Sequence, residues 1–304
     1  MCYHLLENCQ LCPRRCRVNR LEGHRGYCKA PAYPRVYNYF PHKGEEPPIS
    51  GDRGSGIVFF SHCPLKCVYC QNYKFSHEGN GRNTNIQELS EIYLHLQSLG
   101  CHNINLVTGT HFIPWVIDSL KMARGEGLNI PVVWNTSGFE EPNILRFLEE
   151  YIDIYLTDFR YIEPQISRLY SNCEDYPYWA LASLEEMLRQ KNRLRFCGSL
   201  LKEGVIVRLL VLPGRVGDLE KTLSLIHKNF GFNNLGISVL IQYHPFYRAG
   251  DFPQINRVLE DEEIERVYEI LDRFPIERGW VQEDRGAGRF WGENFKIKPN
   301  AENS

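Results

Sequence analysis

A chain of 304 residues, 43% hydrophobic and 24% charged, has the composition of an ordinary globular protein, which excludes a disordered chain and leaves no apolar run long enough to cross a bilayer. With 35 basic residues against 37 acidic ones the formal charge is −2, and no Lys/Arg block marks a phosphate backbone as partner, so neither nucleic acid nor membrane is expected. The length suits one α/β barrel or two smaller domains. The opening MCYHLLENCQLCPRRC has no apolar core of a secretory signal, which predicts a cytoplasmic, reducing location.

Residues 1–50 are rich in cysteine, carry prolines at 13, 31, 34, 41, 47 and 48, and show little periodicity. They read as a small metal-stapled N-terminal extension, too short for a core of its own. Strand and helix patterns then alternate over residues 51–280. GIVFFS (56–61) is a buried strand that ends at a cysteine loop. Beyond the loop Asn85 caps a helix, with Glu88 in its first turn and Ile86, Leu89, Tyr93 and Leu96 on one face. NINLVT ends at Thr108 and leads to helical WVIDSLKMA; IPVVWN ends at Asn135 and leads to PNILRFLEE. IDIYLT ends at Thr157 and precedes helical pieces near Gln165 and Ser183, GVIVRLLVLPG precedes DLEKTLSLIHK, and ISVLIQY precedes a helix through Ile264, Val267, Tyr268 and Leu271. Units of this length suit right-handed crossovers between parallel strands. Six of them predict a partial (β/α)6 TIM-like barrel, with a doubly wound open sheet as the alternative. In both, chemistry gathers at the carboxyl ends of the strands. The tail, 281–304, is expected to pack Phe290 and Trp291 back and to fray at its polar end.

Of eleven cysteines, Cys101, Cys173 and Cys197 are isolated and read as small buried hydrophobes, whereas the rest cluster. Disulfides do not persist in a reducing compartment, so clustered thiols read as metal ligands. Cys63, Cys67 and Cys70 form C-x3-C-x2-C directly after the first strand. Structural zinc prefers four ligands in two C-x2-C pairs; three thiols fit better a 4Fe-4S cluster with one iron left open to a small molecule. Cys9, Cys12, Cys16 and Cys28 form C-x2-C-x3-C-x11-C, with Gly23 and Gly26 allowing a tight return, and four thiolates close a shell around either structural zinc or a saturated auxiliary iron–sulfur cluster. Cys2 is spare.

C-x3-C-x-aromatic-C, with Tyr69 as the aromatic, resembles the signature of the radical S-adenosylmethionine superfamily. The resemblance implies that Cys63, Cys67 and Cys70 hold the cluster, that S-adenosylmethionine chelates the open iron, and that one-electron cleavage yields a 5′-deoxyadenosyl radical that abstracts hydrogen. It also implies an electron donor such as flavodoxin or ferredoxin. The ordered blocks CVYCQN, NINLVTGTH, VWNTSGFE, YLTDFRY, VRLLVLPG and IQYHPF are similar to those of pyruvate formate-lyase activating enzymes, especially homologues with an N-terminal cysteine block. By that likeness Tyr69, Asn72, Thr108, Asn135, Asp158, Arg160, Arg208 and His244 line the cofactor, with Gln71 at its edge and the TGTH turn standing where the relatives carry two glycines and a glutamate.

Read as residues alone, Asn135, Thr136 and Ser137 also suit strand-end capping, and Asp158 with Arg160 also suits an exposed pair. His244 also suits a structural histidine before proline; His62 and His111 are weaker candidates. Arg208 interrupts VIVRLLVL, where an unpaired charge is costly, so it must face an anion or a buried partner. Two functions of different class follow. One is a radical S-adenosylmethionine oxidoreductase acting on a protein, peptide or small molecule, with activation of a glycyl-radical enzyme as its finer form. The other is a non-catalytic zinc-binding scaffold.

Overall fold

A computed structural model of the chain describes residues 3–282 and 289–291. Its frame is one mixed sheet of strands β1 Arg35–His42, β2 Ser55–Phe60, β3 Arg82–Asn83, β4 Ile104–Val107, β5 Val132–Thr136, β6 Ile154–Asp158, β7 Arg195–Cys197, β8 Leu200–Leu210, β9 Gly236–Leu240, β10 Gly279–Gln282 and β11 Arg289–Trp291. The spatial order is β11-β10-β9-β8-β6-β5-β4-β2-β1-β3, with β7 paired to β8. From β2 through β10 this path is parallel. All six predicted strands are therefore barrel strands, and β10, only four residues long, adds a seventh. Helices lie between them, as crossover geometry requires. The fold is a partial, TIM-like β/α barrel.

The barrel strands are apolar on both faces because helices cover one side and the barrel interior the other. Helix Ile86–Ser98 starts at a capping box: Asn85 Oδ1 accepts from Glu88 N and Glu88 Oε2 accepts from Asn85 N, both at 2.9 Å, an arrangement worth about 1 kcal/mol. Its face of Leu89, Tyr93 and Leu96 is fully buried, each side chain contributing roughly 1.5–3 kcal/mol. Helix Ile113–Gly125 packs beside it. The helix predicted from PNILRFLEE is short, Pro142–Leu145, and tightens into a 3-10 turn at Arg146–Leu148.

The proline-rich lead-in holds a strand that periodicity did not reveal. β1 pairs antiparallel with β2 over Val36↔Phe60 to His42↔Ser55, while β3 covers only Arg35 and Val36 on its other edge. Pro41, which has no N–H to donate, sits where that outer edge is open. The cysteine-bearing segment thus ends before the sheet begins at Arg35. At the opposite edge β11 pairs antiparallel with β10, Trp280 opposite Phe290; the packing expected of the Phe290 and Trp291 side chains, the fraying end and Cys2 lie outside the described residues. No described helix is long and apolar enough to cross a membrane.

Candidate active site

The loop after β2 turns at His62, whose φ of 73° lies in the left-handed region, and is bolted down by backbone bonds: His62 N to Phe75 O and Val68 N to Tyr170 O, each 2.8 Å. Its sulfurs receive donors from elsewhere in the fold. Arg160 Nη1 donates to Cys67 Sγ at 3.2 Å and Ser171 Oγ donates to it at 2.9 Å. Cys70 Sγ and Ser76 Oγ are 3.2 Å apart, and Leu65 N donates to Cys63 Sγ at 3.4 Å. Burial, then the neighbouring Cys67, pushes the Cys63 thiol up to about 12 and raises Cys70. The three thiols are therefore close enough to influence one another. Tyr69 OH meets Tyr161 OH at 2.6 Å, and Tyr161 OH meets Ser171 Oγ at 2.6 Å. A chain of neutral hydroxyls so ends on Cys67.

Arg160 ties this loop to the barrel interior. Besides Cys67 it holds Asp158 Oδ2 through Nε at 2.9 Å and Nη2 at 2.6 Å. Asp158 stands opposite Arg208 in the β6/β8 ladder, and Arg208 Nε donates to Asp158 Oδ1 at 2.7 Å. Burial would raise the Asp158 carboxyl, but the guanidiniums of Arg208 and Arg160 outweigh it and hold the pKa below the ordinary carboxylate range. Asp158 and Arg160 are thus a buried pair and not an exposed one, their side chains 10% and 24% accessible. Arg208 finds the partners its position demanded: Asp158, Asn135 Oδ1 at 2.5 Å and Glu45 Oε2 at 3.3 Å.

Glu45 and Glu46, from the link between β1 and β2, were not anticipated. Asn135 Nδ2 donates to Glu45 Oε1 at 3.2 Å. Glu46 is fully buried, and burial lifts its carboxyl to about 7 despite Arg208. Asn105 on β4 approaches Glu45 and Ser238 on β9 approaches Glu46, but among the described residues none of the Asn105 amide, the Ser238 hydroxyl and the two Glu46 carboxylate oxygens is in a hydrogen bond of good geometry. Buried polar atoms left this way are costly unless water or a ligand completes them. One signal was available: Asn105 and Ser238 interrupt otherwise apolar strands, as Arg208 does. Nothing local marked the two glutamates, which reach the barrel only because β1 folds back on β2.

At the other strand ends, Thr108 adopts φ 58°, an uncommon conformation for a β-branched residue and one that collects at functional turns. Glu140, also unanticipated, lies beneath this turn. Its Oε1 accepts from Thr110 Oγ1 at 2.7 Å, Trp134 Nε1 at 3.1 Å and Thr136 Oγ1 at 2.5 Å, so Thr136 caps an acid. Burial raises Glu140 to about 7. Gly138 is obligatory: a Cβ there would lie 2.2 Å from Asp158 O. Ser137 is buried nearby, its carbonyl accepting from Tyr176 OH at 2.8 Å.

Asn72 is half-buried at the start of helix Tyr73–Ser76, and Gln71 is exposed. His244 is exposed in the loop after β9. That loop docks on the cysteine loop through Arg248 N to Val68 O at 2.8 Å and a Tyr247–Tyr73 stack at 4.7 Å. His62 and His111 are structural in their contacts: His62 Nδ1–H donates to Cys28 O at 3.1 Å and His111 Nε2–H to Ser61 O at 2.7 Å. Burial holds His62 down to about 4 and His111 well below its ordinary value, so both are neutral.

The N-terminal block sits directly behind the loop. Arg14, between Cys12 and Cys16, donates to Pro64 O at 3.1 Å and Asn172 O at 2.7 Å and covers the Tyr27 ring at 4.0 Å. Arg15 pairs with Glu141 at 2.7 Å. Cys12 and Cys28 are raised by burial and by the other thiols of the block. The four cysteines are thus neighbours. Of the isolated cysteines, Cys101 and Cys173 are buried as expected, whereas Cys197 is exposed.

A parallel barrel with a polar interior and a thiol-bearing loop at the carboxyl end of its first parallel strand defines a barrel enzyme built around a bound cofactor. A profile of the radical SAM superfamily matches residues 57–226, more than half of the sequence, and the chain belongs to that superfamily. The uncharacterised protein MJ0674 of Methanocaldococcus jannaschii is similar at 30% identity over 282 residues, 90% of this chain and 77% of that protein. Two structures of the FeFe-hydrogenase maturase HydG, one from Carboxydothermus hydrogenoformans, superpose with TM-scores of 0.52 at 15% and 13% identity, over 74% and 71% of this chain and 51% and 50% of theirs. The chain spans about half of HydG, and the likeness is one of fold. A domain of pyruvate-formate lyase-activating enzyme from Bacteroides vulgatus overlaps 56% of the chain at a TM-score of 0.41, too distant to bear on activity.

Membership implies a 4Fe-4S cluster and S-adenosylmethionine. Among the described residues no three His, Cys, Asp or Glu side chains are drawn together to hold a metal ion, and a cubane spreads its thiolates more widely than a single ion does. The donor set fits a cubane: three neighbouring thiols on one loop, with Arg160, Ser171 and the Leu65 amide directed at their sulfurs, the kind of hydrogen bonding that tunes such clusters.

Proposed function

We propose that this protein reductively cleaves S-adenosylmethionine at a 4Fe-4S cluster on Cys63, Cys67 and Cys70 and abstracts hydrogen from a protein, peptide or small-molecule substrate, with activation of a glycyl-radical enzyme as the finer reading. The observation that carries it is Arg160, which donates to Cys67 Sγ at 3.2 Å and to Asp158 at 2.6 Å. One guanidinium makes the thiol loop and the polar barrel mouth a single site. The bound cluster and cofactor would supply a one-electron cleavage and a carbon radical; the chain supplies binding, orientation and exclusion of water.

Arg208 and Arg160 offer cationic donors to a carboxylate, and in the absence of one Asp158 compensates them. Thr108 and Asn135 present strand-end polar groups, and Tyr69 and Asn72 flank the thiols. Buried Glu46, Asn105 and Ser238 form a polar floor suited to a substrate that donates and accepts hydrogen bonds. The docked loop with Tyr247 and His244 covers one side. A low-potential donor such as flavodoxin or ferredoxin would deliver the electron, in keeping with a cytoplasmic protein.

Anaerobically reconstituted protein, reduced with dithionite, should form 5′-deoxyadenosine from S-adenosylmethionine, and the Cys67→Ala variant should not. Iron-loaded wild type that forms none would sink the reading. A glycyl-radical enzyme copurifying with the chain, and gaining an electron paramagnetic resonance radical signal when mixed with it, would establish the finer form.

A further inference from the structure

Next to the active-site loop lies a buried positive charge that no acid among the described residues meets. Arg20 is 1% exposed. Its Nη1 donates to His111 O at 2.6 Å, its Nη2 to Pro31 O, and its Nε has no partner among the described residues. The guanidinium stands 5.6 Å over the Phe112 ring. No carboxylate among the described residues is one of its partners. A cation buried in this way is costly by several kcal/mol unless an anion faces it.

Besides those carbonyls and the Phe112 ring, the groups near it that can carry negative charge are sulfurs. Cys9 Sγ is 3.9 Å from Nη1, Arg20 acts on Cys28, and Cys9, Cys12 and Cys16 lie around Cys28. Four neutral thiols would leave Arg20 uncompensated; four thiolates on a metal centre would not. The backbone is arranged for thiolates. Arg17 and Lys29, each directly after a cysteine, and Arg15, directly before one, take positive φ of 57°, 63° and 41°. Tyr27 N donates to Cys16 Sγ at 3.3 Å and Ala30 N to Cys28 Sγ at 3.5 Å. Gly26 lets the turn close, since a Cβ there would come within 2.8 Å of Cys16 Sγ.

We propose that Cys9, Cys12, Cys16 and Cys28 hold a second, fully thiolate-ligated iron–sulfur cluster, charge-balanced by Arg20, that relays single electrons to the Cys63, Cys67 and Cys70 site. The C-x2-C-x3-C spacing departs from the paired C-x2-C knuckles of structural zinc. The connection is short: Cys28 O accepts from His62 Nδ1 at 3.1 Å, and His62 is bonded to Cys63. Zinc at this place could not use it, having no redox couple. A low-potential one-electron carrier protein reduces this cluster by one electron, and the cluster returns to its oxidised state as the active-site cluster is reduced. The relay rests on the function proposed above; the metal site does not.

The test uses the full chain, reconstituted anaerobically. Wild type should bind about eight iron and about eight sulfide, and Cys28→Ala about half of each. Wild type with only about four iron, with or without one zinc, overturns the site, and this result does not depend on a variant folding. Arg20→Met, which keeps every thiol, should move the potential of one cluster to a more negative value, because the reduced cluster loses its counter-charge; an unmoved potential overturns the charge pairing. In Cys28→Ala, 5′-deoxyadenosine formation driven by reduced flavodoxin should be lost while that driven by dithionite persists; equal retention of both overturns the relay. Wild type that forms no product with dithionite defeats the proposed function and leaves the iron count and the potential to judge the second cluster.

Discussion

The two cysteine groups sit on segments that touch, through His62 on Cys28 O and Arg14 on Pro64 O, and differ in what points at their sulfurs. Around Cys67 the donors are side chains carried in from distant elements, Arg160 after β6 and Ser171 at the end of helix Pro164–Ser171. Around Cys16 and Cys28 the donors are amides of the same short segment, with the cation Arg20 also local. A site completed by its own segment can close its coordination shell; one completed from across the barrel leaves a side open to whatever the barrel holds. The difference teaches that the thiol count matters less than the origin of the surrounding donors.

The largest expected effect on that contrast is at Cys67: Cys67→Ala should abolish S-adenosylmethionine cleavage while leaving the iron of the N-terminal site in place, measured as product and as iron per chain. Asp158→Asn comes next. It leaves the buried cations Arg160 and Arg208 without their shared acid, and should lower stability by about 3–5 kcal/mol in anaerobic denaturant unfolding, whereas removing an exposed acid should do little.

Glu140→Gln should be felt through pH. The folded chain holds Glu140 at about 7 against an ordinary 4.5. Stability from the neutral carboxyl is therefore complete below about pH 4.5 and is lost as the pH rises through about 7, an effect on the order of 3 kcal/mol. Unfolding midpoints of the variant should be flatter than wild type across this window, and an equally steep variant profile would refute the assignment to Glu140.

Ser171→Ala removes one donor to Cys67 and should cost about 1 kcal/mol of stability while shifting the potential of the active-site cluster only. A shift of the N-terminal signal as well would break the distinction between the two sites. The smallest effect is expected for Arg15→Ala: its pair with Glu141 is half-exposed, so docking of the N-terminal segment should weaken by no more than about 1 kcal/mol, read as a melting shift that salt diminishes.

Much of the barrel was legible because alternation of apolar strands with amphipathic helices is a local property. Asn85 and Glu88 marked a helix start that the structure keeps, and Arg208 announced a buried partner by interrupting an apolar strand. β1 was hidden, since a strand with an open edge and a proline has no periodicity to display. β10 was hidden by its four residues. The link Pro142–Leu148 read as a full helix and folds as little more than a turn of each kind, because tertiary placement overrides a favourable pattern.

The sequence by itself determined where the thiols stand, their grouping into three and four, and the barrel that follows the first group, since spacing and periodicity are written along the chain. Only the tertiary structure decided which charges meet. Glu45, Asp158 and Arg208 come from separate elements and, with Arg160 two residues beyond Asp158, become one network because adjacent parallel strands bring residues fifty positions apart into register. Likewise Arg20 became a statement about its four cysteines only once it was seen to be buried, because a charge acquires its demand for a partner from the loss of water around it.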